Sequence, residues 1–168
     1  MTLDEKVGRL LAEAGKSAEA GITTTMEGRL SSAQEYAQRT GQDITATVAE
    51  IVGIGYRAAV SLDLAEARKL AGAGEATIME VWLSFAQRDA QRTGQNITAT
   101  VAKIEGMGYR VAVEVELAEA RKYAAKGDAS GMEDLLRIAT GYAAKTGQDI
   151  TAQVAKIRAM VKTAQGSR

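Results

Sequence analysis

Apolar residues recur along this chain at steps of three and four, and no segment alternates at a period of two. Val7, Leu11, Ala14 and Ala18 make the first stripe, Met26, Leu30, Ala33 and Ala37 the second, and Ile44, Val48 and Ile51 the third. Such spacing places one face of an α-helix against a core, so the pattern predicts an all-α fold. The first helical segment covers about residues 3–20, with counterparts at 56–73 and 109–126. Gly21, Gly74 and Gly127 follow these segments and suit the left-handed position just past a helix end. Thr24-x-x-Glu27, Thr77-x-x-Glu80 and Ser130-x-x-Glu133 then read as capping boxes opening the second helices. Thr40-Gly41 ends the first of these, and Asp43, Asn96 and Asp149 read as caps of the third segments.

The stripes repeat because the sequence does. Residues 40–51 return at 93–104 and again at 146–157, an offset of 53 each time. The register divides the chain without gaps into repeats 1–53, 54–106 and 107–159, followed by a tail, 160–168. Repeats two and three are identical at 29 of 53 positions, too many for chance. A fixed period indicates a repeat architecture, here a single helical domain over 1–168: a helical bundle or short array of three units.

Gly53-Ile-Gly-Tyr56 and Gly106-Met-Gly-Tyr109 join one repeat to the next, with no stop signal at either joint. Each third segment is therefore expected to continue into the following first segment as one helix of about 28 residues. The alternative, a phosphate-cradling G-x-G loop, lacks the third Gly, the preceding strand and the nearby Lys-Ser/Thr it requires. Tyr56-Arg57 and Tyr109-Arg110 occur at both internal joints and are expected to stiffen them. The chain should then run as a half-helix, three short helices alternating with two long ones, and a second half-helix.

Composition narrows the chemistry. The chain holds no His, Cys or Pro, and its 21 basic and 21 acidic residues cancel. Disulfides, thiolate or imidazole metal sites, cysteine nucleophiles and Ser-His-Asp triads are thereby excluded. Zero net charge leaves no footprint for nucleic acid or an anionic membrane. No run approaches 18 apolar residues and no secretory signal opens the chain, so a cytoplasmic protein is expected. The polar residues shared by all repeats have structural uses. Glu13 and Lys16 are three apart, an ordinary helix-surface pair; Gln42 lies in a turn, and Thr45 in a first helical turn. No asymmetric catalytic constellation, metal site or cofactor site is expected.

Residues that break the repeat are better candidates for a unique role. Trp82 and Phe85 are the only Trp and Phe, three apart on the middle helix of repeat two. With Met79 they are candidate binding residues, either filling a gap in a core of small residues or anchoring a partner or apolar ligand. The termini form a second candidate. Repeat one carries five basic and eight acidic residues, repeat three eight and seven, and Lys162 and Arg168 bring the C-terminal end to +3 against −3. The first helix lacks a preceding third segment, and the last lacks a following first segment. Val7, Leu10 and Leu11 at one end, and Val154, Ile157, Met160 and Val161 at the other, are the expected interface residues. A thin core and high local concentration favour closure of the array by its two terminal helices within one chain. Meeting between chains would instead be head-to-tail.

The expected function is a non-catalytic helical-repeat scaffold acting through a protein partner or through self-assembly. The alternative is a helical container for a small apolar molecule. Near-identical repeats without His, Cys or Pro also fit a synthetic or consensus-derived origin, although Gly and Thr inside helices are unlike idealised design.

Overall fold

A computed structural model describes residues 1–166. Among the described residues seven α-helices follow one another: α1 (Leu3–Glu19), α2 (Thr23–Thr40), α3 (Thr45–Ala73), α4 (Ala76–Thr93), α5 (Thr98–Ala125), α6 (Ala129–Thr146) and α7 (Thr151–Gly166). No strand occurs among the described residues, so the protein is all-α, and the order of short and long helices is the one the stripes predict. None of these helices is long and apolar enough to cross a membrane.

α3 and α5 run unbroken through their glycine pairs for 29 and 28 residues. Close packing explains the second glycine of each pair. A Cβ on Gly55 would fall inside the 3.0 Å floor for real contacts with Met26 Sδ, with Ala18 Cβ at 3.3 Å. Gly108 stands in the same relation to Met79 Sδ, with Ala71 Cβ at 3.2 Å. Met26 and Met79 are wholly buried, and each gains roughly 1.5–3 kcal/mol from leaving water. Glycine lets the long helix approach the thioether; no loop or phosphate cradle is involved.

The helix ends follow the glycines, but the starts differ from expectation. Gly41 and Gly147 hold φ of +71° and +67° at their C-caps, where an L side chain would be strained. The three expected capping boxes do not form. α2 already begins at Thr23 behind Ile22, which makes no side-chain cap bond, and α4 begins at Ala76. α6 begins at Ala129, where Asp128 accepts from Gly131 N at 3.0 Å. The turn after each left-handed glycine re-enters the helix so quickly that Thr24, Thr77 and Ser130 lie inside the first turn. A complete capping box does occur at α1, between Thr2 and Glu5. Asp43 and Asp149 accept from the amides of Thr45 and Thr151 at 3.0 and 2.9 Å, one position further out than a true N-cap.

The helices divide into two compact units, Met1–Ala65 with Trp82–Ile97, and Glu66–Val81 with Thr98–Arg168. In the first, Ala14, Ala18, Met26, Leu30, Ile51 and Tyr56 form one buried cluster. Val7, Ala33, Ala37 and Ile44 form another. In the second, Val113, Leu117 and Ala120 of α5 pack with Met132, Leu136 and Ala139 of α6 and with Ile157 and Val161 of α7.

Candidate functional site

The polar side chains held most firmly sit where a short helix meets the long helix after it. In the second unit, Glu80 of α4, Tyr109 of α5 and Lys145 of α6 converge. Tyr109 OH donates to Glu80 Oε1 at 2.5 Å, Lys145 Nζ donates to the same oxygen at 2.6 Å, and Lys145 Nζ reaches Tyr109 OH at 3.2 Å. Lys145 also lies 4.4 Å from the centre of the Tyr109 ring, a cation–π distance. Tyr142 stacks on Tyr109 with centroids 5.8 Å apart, and its hydroxyl lies 3.4 Å from Thr77 Oγ1. The first unit repeats the arrangement with Glu27, Tyr56 and Arg92. Tyr56 OH donates to Glu27, Arg92 donates to Glu27 at 3.0 Å, and its guanidinium lies 4.7 Å from the Tyr56 ring centre.

The cluster of the second unit holds its three groups in resting charge states. Donation from Lys145 and then Tyr109 lowers the Glu80 pKa below the ordinary carboxylate value. Burial, and then the hydrogen bond to Glu80, raises Tyr109. The Lys145 ammonium is pushed well above the ordinary lysine range, chiefly by the hydrogen bond to Glu80 and next by Tyr109. At neutral pH the three are carboxylate, phenol and ammonium. A proton-transfer group poised near neutrality, or a free amine nucleophile, would need shifts of the opposite sense. Among the described residues no group of three acids could hold a metal ion.

The glutamates expected as capping partners thus serve between helices. Glu133, their third counterpart, is gripped by Arg158 of α7 through both oxygens, at 2.7 Å each. Sequence carried a signal of this, since glutamate precedes tyrosine by 29 residues and the cation by 65 in both clusters. The Thr/Ser-x-x-Glu pattern masked it. The expected surface pairs form at Glu66–Lys69, 3.2 Å, and Glu119–Lys122, 2.7 Å. In repeat one, Glu13 instead takes Arg29 at 3.4 Å.

Of the candidate binding residues, Trp82 and Phe85 come together edge to face with ring centroids 5.9 Å apart. Trp82 is half-buried and Phe85 is 38% exposed. Arg88 lies 5.3 Å from the Phe85 ring centre and is bonded through Nε to the buried Asp89 at 3.0 Å. Burial and then the Asp89 charge raise the pKa of Asp63, with Arg88 opposing them. Met79 lies in the core against Gly108. Of the terminal candidates, Val7 is buried with Ala33, Ala37 and Ile44, and Leu10 and Leu11 pack on that cluster. Ile157 and Val161 are core residues between α5 and α6, with Val154 and Met160 packed beside them.

Fold and site together define an all-α helical protein whose polar clusters join helices. No family model matches the sequence, and no curated protein or solved structure matches it.

Proposed function

We propose that this chain is a non-catalytic helical scaffold that works through contacts with other protein surfaces. The observation that carries the reading is the Trp82–Phe85–Arg88 patch. Aromatic and arginine side chains dominate the energetics of protein contacts, and here Phe85 stands exposed while Arg88 is braced by Asp89. In repeat one the corresponding residues are Arg29 and Ser32, so the patch is peculiar to repeat two. The charge states of Glu80, Tyr109 and Lys145 agree with a role without acid–base chemistry.

A photo-crosslinking amino acid at position 85 tests this reading. Irradiation should give discrete protein adducts that excess unlabelled wild-type chain suppresses and a Trp82→Arg/Phe85→Ser variant does not. Equal suppression by both competitors, or no adduct, overturns the reading. A small apolar molecule retained one per chain in native mass spectrometry, and lost in the same variant, would favour a container.

A further inference from the structure

The joint between repeats two and three carries an acid that the joint between repeats one and two lacks. Glu105 of α5 stands where α3 has Val52, while Arg110 matches Arg57 and Lys145 matches Arg92. On α3, Arg57 folds back over the first glycine of the pair, with Nη1 3.1 Å from where a Cβ of Gly53 would sit. A Cβ at Gly106 meets no atom within 4 Å, so Arg110 does not lie over its glycine in that way. Here α5 and the end of α6 border a cavity of about 340 Å³, with Ala102, Glu105, Gly106, Tyr109, Arg110 and Lys145 on its walls.

Two of the three charges on this cavity are unspent. Lys145 is offset by Glu80 and also donates to Tyr109 OH, so its ammonium is a fixed part of the wall. The exposed Arg110 and the half-buried Glu105 make no side-chain hydrogen bond or ion pair among the described residues. Side chains pair along a helix at spacings of three and four; these two are five apart, on different flanks of α5. Their backbones stand about 7.5 Å apart along the helix axis. Gly106, between them, and Ala102 put no long side chain into the space. A guanidinium takes a carboxylate through paired N–H donors, and a carboxylate takes an ammonium. A simple anion would be repelled by Glu105, and a simple cation by Arg110. The cavity complements a molecule with opposite charges at its two ends. An α-amino acid holds both charges on one carbon and does not reach, whereas an extended dipeptide spans about 7 Å.

We propose that this cavity binds a short zwitterion, carboxylate on Arg110 and ammonium on Glu105, whose charges are separated by the length of a dipeptide. Dipeptides and ω-amino acids of that length share this chemistry. The site lies wholly in the second unit and does not use Trp82 or Phe85, so it goes beyond the scaffold reading.

Amide NMR shifts of the isotope-labelled full chain provide the test, with circular dichroism confirming that each variant is folded. The probes are glycylglycine and 5-aminopentanoate, which have the same number of bonds between nitrogen and carboxylate carbon. At least one should give saturable shifts centred on Gly106, weakened by salt. Tighter binding of the first marks a peptide site, and of the second an ω-amino acid site. Glycine, pentanoate and pentylamine should each bind at least about tenfold more weakly, because each engages only one of the two side chains at a time. Glu105→Val, which installs the residue of the first joint, should bring the bound zwitterion down to the level of pentanoate. Arg110→Ala should weaken the zwitterion and pentanoate alike. The absence of saturable shifts with both zwitterions overturns the proposal, as does binding that survives both substitutions. Pentanoate binding as tightly as the zwitterions overturns it too.

Discussion

Gly106 and Gly108 are two residues apart in α5 and face different surroundings. A Cβ at Gly106 meets nothing within 4 Å, while one at Gly108 collides with buried Met79 Sδ and presses on Ala71. Gly106→Ala should therefore stabilise the protein by up to about 1 kcal/mol through helix propensity. Gly108→Ala should destabilise it by roughly 1–3 kcal/mol through overpacking. Urea denaturation that ranked the two the other way would show that the thioether does not sit against the α5 backbone. The sequence offered two glycines per joint and no means of telling which one a neighbour approaches. That distinction depends on Met79, 29 positions away from Gly108.

At the scale of the helix, periodicity located the segments and the left-handed glycines located their ends. Starts were harder to read, because Thr-x-x-Glu and Ser-x-x-Glu satisfy the capping pattern whether or not a helix begins there. The glutamates were already engaged: Glu80 by Tyr109 and Lys145, Glu133 by Arg158. Asp128, which accepts from Gly131 N, is the side-chain cap of α6. Asp128→Ala should cost about 0.5–2 kcal/mol, the usual loss for a cap. Thr77→Ala should be close to neutral. It removes a long, exposed contact with Tyr142 and places the best helix former within the first turn of α4. Thermal denaturation of the two variants beside wild type distinguishes them, and a larger loss for Thr77→Ala would restore the capping box.

Stability of the whole molecule against pH depends on carboxylates shifted in opposite directions. Glu80 is lowered by its hydrogen bonds, so its contribution is complete above the ordinary carboxylate range and is lost as pH falls through its folded pKa. Asp63 is raised from its ordinary 3.8 by burial and by Asp89. Its folded state holds the proton more tightly, and that advantage is full below 3.8 and lost as pH rises through the raised value. Ionised Asp63 therefore works against the fold at neutral pH. Asp63→Asn should be more stable than wild type at about pH 7, by less than about 1 kcal/mol because the site is partly solvated. The two proteins should converge by about pH 3. A variant less stable than wild type at neutral pH would mean that the Asp63 charge is favourably paired.

The sequence alone determined the helical class, the order of long and short helices, the continuity of α3 and α5, and the glycine ends. These depend on contacts three or four residues apart and on backbone angles, which local composition dictates. It also marked Trp82 and Phe85 as departures from the repeat. Tertiary structure decided what each side chain is for. It turned three glutamates from caps into inter-helix acceptors, chose Gly55 and Gly108 as the points of close approach, and left Phe85 exposed while burying Met79. Those outcomes depend on partners 25–65 residues distant. A helical pattern indicates which residues share a face, and only packing decides what that face meets.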